Sequence, residues 1–339
     1  EVLTERNPVL DLDESQRWKA GIYGVRRKFS FTLRNSLAQT LALLGGSGSA
    51  VCVSRTITGA QWASAVVGEI FAQADADETY GLWASLTDVL PLLAEAAPET
   101  FLQAMANGLS QEPSLHTKMF TDSGPNQLGF PTPSPHTTFL HALEILAWSP
   151  DYFDEVIEIL GRLAALDPGG RWANRPIRSL SAILSSCVPN TTVDVNQRVR
   201  AIKRLHREQP YITRRLLLDL VPDGVGSAML HEGPRFRDWK KELSLSRTDR
   251  IAVTDVIVDI LLKDLDKDVD RYIAFIPKLH AISDSHRELF AKCLCSLSES
   301  LANDRQRMRI ADALRDFIAR HREYSERSWT LSEGQLRTL

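Results

Sequence analysis

Apolar residues recur along this chain with the 3.6-residue period of helices. Leu33, Leu37, Leu41 and Leu44 form one row, and it stops at Gly45-Gly46, where a helix end is expected. Val156, Ile159, Leu160 and Leu163 form a second row, and Ile251, Val258, Leu261, Leu262 and Leu265 a third. Met308, Ala311, Leu314 and Ile318 form a fourth, with Arg305, Arg309, Arg315 and Asp316 off the stripe. Period-two alternation is nearly absent; Val51-Cys52-Val53-Ser54-Arg55 is the best strand candidate and is short. The expected fold class is therefore all-α.

Three segments, Leu86–Met105, Leu140–Leu160 and Val199–Leu220, share one plan. An apolar helix ends, a proline follows (Pro98, Pro150, Pro210), and a second helix begins. Eight residues before the proline stand Leu90, Ala142 and Ile202, and five before it Leu93, Ile145 and Leu205. Proline in a first helical turn loses no hydrogen bond, and it pushes the preceding residue out of helical geometry, so it sharpens a corner. The hairpins recur at spacings of 52 and 60 residues, longer than the ~34 of tetratricopeptide repeats or the ~40–47 of HEAT repeats. Each hairpin can bury one face on its neighbour, so an irregular α-solenoid, TPR-like or HEAT-like, is expected.

Two long segments interrupt it. Residues 111–136 are rich in proline, and residues 222–246 hold Pro222, Gly224, Gly226, Gly233 and Pro234. Loops of this length are usually functional or mobile. The expected organisation is a helical region at 1–110, the Pro-rich loop at 111–136, hairpin repeats at 137–221, a basic and aromatic loop at 222–246, and a helical region at 247–339. The opening Glu1-Val2-Leu3-Thr4-Glu5-Arg6, without an initiating Met or signal peptide, reads as the start of a segment of a larger protein.

Composition adds charge asymmetry. The 339 residues carry a net charge of −3. Residues 1–170 hold 10 basic and 20 acidic side chains, and residues 171–339 hold 30 and 23. No Lys or Arg lies between Arg55 and Lys118. Glu69, Asp75, Asp77 and Glu78 in that stretch are candidate contacts for a basic protein surface. Four scattered cysteines suit a reducing compartment, here the cytoplasm, and no apolar run is long enough to span a membrane.

Reactive chemistry is sparse. Gly45-Gly46-Ser47-Gly48-Ser49 lacks the Lys-Ser/Thr pair and preceding strand of a phosphate loop. Asp264 to Asp270 has alternating aspartates, but Val269 occupies the glycine position of a calcium loop and Phe275 the bidentate glutamate position. Cys293-x-Cys295 lacks zinc spacing and reads as a pair of buried thiols. His136, His141 and His206 make no metal or catalytic motif. No metal, cofactor or catalytic residue is expected.

Arg235, Phe236, Arg237, Trp239, Lys240 and Lys241 interleave aromatic and basic side chains, a composition suited to stacking and phosphate contact. Arg198, Arg200, Lys203, Arg204, Arg207, Arg214 and Arg215 add a basic helical pair. The plainer reading is a loop anchored by Phe236 and Trp239.

The stretches Ala142-Leu143-Glu144-Ile145-Leu146-Ala147-Trp148-Ser149-Pro150, Leu166-Asp167-Pro168-Gly169-Gly170 and Ala173-Asn174-Arg175-Pro176, with Gly233-Pro234-Arg235-Phe236-Arg237-Asp238-Trp239 and Arg17-Trp18-Lys19-Ala20-Gly21-Ile22-Tyr23-Gly24, resemble helical C-terminal regions of very large bacterial proteins. Some of those are similar to STAND-type NTPases of antiphage defence. The resemblance implies an array that senses a viral protein while an effector and an NTPase lie elsewhere. Within this chain its motifs carry structure: Trp148 beside Pro150 at a corner, Asp167, Pro168 and Gly169 at a helix stop, and Asn174 capping a helix opened by Pro176. The function expected is a non-catalytic recognition scaffold for a protein partner, with a nucleic-acid-binding array as the alternative and no membrane role.

Overall fold

The computed structural model describes residues 1–122, 134–188, 190–222, 232–239, 245–301 and 303–339 of the chain. Among these residues the fold is all-α. The strand candidate at 51–55 reduces to one antiparallel bridge, between Cys52 and Thr58. Residues 1–122 and 134–183, with 190–193 and 232–239, form one compact unit; residues 184–188, 194–222, 245–301 and 303–339 form a second.

The first unit holds α1 (Phe31–Ser47), α2 (Gly59–Asp75), α3 (Gly81–Ser85), α4 (Leu90–Ala96), α5 (Pro98–Ser110), α6 (His136–Leu146), α7 (Pro150–Leu166) and α8 (Pro176–Leu184) up to Ile183. Helices α1, α4 and α6 pack side by side in one layer, and α2, α5 and α7 in another. Each antiparallel pair, α1–α2, α4–α5 and α6–α7, is a hairpin joining the two layers. This is the stacking by which hairpins bury a continuous core. Pro98 and Pro150 open α5 and α7 directly after α4 and α6, so the corners fall where the prolines place them. The core between the layers is aliphatic and aromatic: Phe71 stacks on Trp83 with centroids 5.0 Å apart and leans on Phe101 at 5.8 Å.

Only part of the leucine row of α1 faces this core: Leu41 is buried and Leu44 half-buried. The buried residues are Arg34, Ala38, Leu41, Ala42 and Gly45, while Leu33 and Leu37 are 43% and 37% exposed. Small residues win the interior because α1 lies very close to α4. A Cβ on Gly45 would stand 2.0 Å from the Ala96 carbonyl oxygen. The helix also runs through Gly45-Gly46 to Ser47 instead of stopping. These glycines are close-approach residues, not a terminator. Buried Arg34 forks onto Asp88 at 2.8 and 2.9 Å and donates to the Val2 carbonyl at 2.6 Å.

The second unit holds α9 (Val195–Glu208), α10 (Pro210–Leu220), α11 (Arg247–Lys263), α12 (Val269–Phe275), α13 (Asp284–Ser300), α14 (Asp304–Glu323) and α15 (Glu333–Leu336). Pro210 opens α10 one residue after α9 ends. Helix α11 packs on α9, α10 and α13, and α12 on α14. Two expected stripes are displaced here. Ile251 is 51% exposed, and α11 buries Val253, Ile257, Val258, Leu261 and Leu262. On α14, Met308 is 64% exposed and Ala311 is also exposed, while Ile310, Phe317 and His321 are buried. Ring contacts decide that register: His321 sits 4.3 Å from Phe317 and 5.1 Å from Trp329, and its Nδ1 accepts the Leu331 N–H. The cysteines are not the buried thiols expected, since Cys295 is exposed and Cys293 half-buried. Helix α13 buries Arg287, Phe290 and Leu297 instead. Among the described residues no helix is long and apolar enough to cross a membrane.

Candidate partner-binding surface

Apart from the basic residues of 198–215, which belong to the second unit, the candidate residues the structure describes lie in the first unit. The four acids divide by role. Glu69 and Glu78 are exposed. The Asp75 carboxylate accepts the Trp83 indole N–H at 2.9 Å, and burial raises its pKa. Asp77 accepts from the Leu82 N–H at 2.7 Å and from the Thr79 N–H and hydroxyl, closing the turn into α3. Burial opposes the charge on Asp77, but these hydrogen bonds and Arg6 at 3.8 Å prevail and hold its pKa below the ordinary value. Lys118 donates to the Glu78 carbonyl. Lys118 and Arg6 thus meet this stretch in space, and Asp75 and Asp77 are occupied within the fold.

The basic and aromatic segment is seated, not projecting. Glu95 of α4, 1% exposed, accepts the N–H groups of Arg235 and Phe236 at 2.9 and 2.8 Å. Arg237 donates to the Glu95 carbonyl from Nε and Nη2 at 2.9 and 2.7 Å, and to that of Ala96 at 3.2 Å. Those are orphan carbonyls at the C-terminus of α4, and a cation there also meets the negative end of the helix dipole. Trp239 meets Tyr152 of α7 edge-on at 5.6 Å, and the Arg237 guanidinium lies 5.3 Å over its ring. A Cβ on Gly46 would stand 2.1 Å from the Phe236 carbonyl oxygen, so α1 also fits against this segment. Arg237 and Trp239 are engaged in the fold; Arg235 remains exposed. Lys240 and Lys241 lie outside the described residues.

The resemblance motif forms a buried polar node. Arg175 donates to Asp122 from Nη1 at 3.0 Å and to Asp167 from Nε at 3.0 Å. Asp167 also accepts the Gly169 N–H at 2.9 Å; α7 has already ended at Leu166 with Asp167 extended, and Gly169, at φ +77°, forms the turn beyond the cap and not the stop itself. His136 receives the Ser134 hydroxyl on Nδ1 at 2.7 Å and donates from Nε2 to the Asn174 carbonyl at 3.0 Å. Burial and nearby Arg175 lower the His136 pKa, so the ring is neutral. Ser134, His136 and Asp122 do not form a nucleophile relay. Serine and carboxylate meet the same ring nitrogen, Asp122 at 3.7 Å, and all three side chains are buried. Pro176 opens α8, so the cap position falls to Arg175, whose carbonyl accepts from the N–H groups of Arg178 and Ser179. Asn174 contributes its carbonyl to His136 instead of a capping side chain. Trp148 is buried at the α6–α7 corner, and its carbonyl accepts the Thr192 hydroxyl at 2.8 Å.

What sequence reasoning missed is the outward face of α1. Phe31, Leu33, Leu37 and Leu43 are 63%, 43%, 37% and 53% exposed, and Trp62 at the start of α2 is 39% exposed. Arg34 is the one charged residue of α1, and it is buried. An open groove of about 740 Å³ lies at the N-terminal end of α1, lined by Arg26, Lys28, Phe29, Phe31 and Asp88 among others. The signal was present in the sequence as the alternation of Ala38, Ala42 and Gly45 with the leucines. No protein-family model, curated protein or solved structure matches the chain.

Proposed function

We propose that this chain is a non-catalytic helical-repeat recognition segment that binds a protein partner. The observation that carries the reading is the uncharged outward side of α1, where Leu33, Leu37 and Leu43 stand exposed among Thr32, Ser36 and Thr40. Exposed apolar patches of this kind on otherwise well-packed domains mark protein contact sites. Exposed Glu69 and Glu78 fit a partner whose surface is basic around its apolar centre. The resemblance to antiphage sensor arrays fits a cytoplasmic bacterial setting and a viral protein as that partner.

The test is a comparative capture from phage-infected bacterial extract. Wild-type chain is set against Leu37→Asp with Leu43→Asp, and separately against Glu69→Lys with Glu78→Lys. A specific protein held by the wild type is expected to be lost from the leucine variant and weakened, in a salt-dependent way, in the charge variant. Both variants should melt like the wild type, since all four positions are exposed. Equal recovery by the leucine variant would refute the reading.

A further inference from the structure

Residues 195–215 hold seven Lys and Arg against one acid, Glu208. The structure separates these cations by what they touch. Arg198 is buried and donates to the Ser185 carbonyl at 3.0 Å. Arg214 lies 3.8 Å from Asp264. The other five, Arg200, Lys203, Arg204 and Arg207 on α9 and Arg215 on α10, are exposed. The four on α9 follow i, i+3, i+4, i+7, so they form one solvent-facing row about 10 Å long. Glu208, at the end of the row, is 3.0 Å from Arg204 and 3.4 Å from Arg207. Arg200, Lys203 and Arg215 have no ion pair among the described residues.

Tyr211 stands just past the Gln209-Pro210 corner with 82% of its surface in solvent. It lies one helical turn before Arg215 on the exposed side of α10, and it has no hydrogen-bond or ring partner among the described residues. We propose that this α9–α10 face binds single-stranded nucleic acid, its cations meeting successive phosphates and Tyr211 stacking on a base. Four of the five cations are arginines, whose planar forks match phosphate oxygens two at a time. A bare aromatic ring at the corner where the row ends suits an unstacked base, which a duplex does not offer. An acidic peptide would use the cations and leave the ring idle. The exposed side of α9 carries Asn196 and charged residues only, so it has nothing to insert into a membrane. These residues all belong to the second unit, and none lies on α1.

The experiment is fluorescence anisotropy with the full chain and labelled single-stranded DNA and RNA of about 20 nucleotides, long enough to cover the row several times over. A duplex of the same length and polyglutamate serve as competitors. With about four phosphates engaged, the logarithm of the binding constant should fall against the logarithm of salt with a slope of about −2.8. Arg200→Glu with Lys203→Glu should weaken binding more than tenfold and flatten that slope. Arg215→Gln, a neutral change, should reduce the slope by about 0.7 and serves if the double reversal unfolds. Tyr211→Ala should weaken binding about tenfold at unchanged slope, with Tyr211→Phe retaining affinity. No saturable binding at low salt, equal competition by polyglutamate or duplex, or indifference to Tyr211→Ala would each overturn the proposal.

Discussion

The two units differ in the balance between charges that join separate elements and charges paired within one helix. In the first, charged side chains are buried and join separate elements: Arg34 of α1 to Asp88, Glu95 of α4 to the 235–236 backbone, and Arg175 to Asp122 and Asp167. In the second, many pairs are local and lie within one helix three residues apart, such as Arg307–Asp304 and Arg315–Asp312. A pair that spans elements fixes how helices sit against one another, and its loss leaves a buried charge. A pair within one exposed helix supports only that helix.

The largest test of this contrast is Asp88→Ala, which strands the guanidinium of Arg34 in the interior. It should cost about 3–5 kcal/mol in urea unfolding. Asp312→Ala, removing an exposed partner of Arg315, should leave the unfolding midpoint where it was. Equal losses from the two would break the distinction.

Gly45→Ala comes next. The added methyl meets backbone, which cannot swing aside, so α1 and α4 must separate at a cost of about 1–3 kcal/mol. Amide exchange at Arg235 and Phe236 should rise with it, because their acceptor Glu95 lies at the same contact. A midpoint and exchange like the wild type's would show that small residues are not what brings these helices together.

The smallest effect depends on pH. Burial pushes the Glu144 carboxyl up from 4.5 to about 7, against the opposing hydrogen bond from Ser179 at 2.6 Å. A carboxyl whose folded pKa is raised favours folding fully below 4.5, and that contribution is lost as pH rises through about 7. The swing is at most about 3 kcal/mol. Glu144→Gln keeps an acceptor for Ser179 without the charge. It should raise the melting temperature at pH 8 and show no gain at pH 4. A pH-independent difference would mean that Glu144 is ionised in the fold without penalty.

Much of the fold is legible in the residues. Pro98, Pro150 and Pro210 mark three helix starts because a ring without an N–H belongs in a first turn. Pro168 marks a stop because the residue before a proline is pushed out of helical geometry, and Asp167 is extended. The faces of the helices were harder. A leucine row reads as a core row, yet in α1 the interior went to Ala38, Ala42 and Gly45 beside Leu41, and in α14 to Phe317 and His321. Periodicity reports that a helix is amphipathic; it does not report how close the next helix comes. The candidate site was less legible still. Arg235, Arg237, Asp75 and Asp77 carry the same charge in sequence whether they meet water or a backbone amide.

By itself the sequence determined the helices, their corners and the uneven spread of charge, because these follow from local backbone chemistry and composition. Which charges remain on the surface was decided only when distant segments met. Glu95 and Arg237 are 142 positions apart along the chain, and no local rule pairs them. Contact between such segments depends on how the intervening hairpins stack, and that is a property of the packed whole.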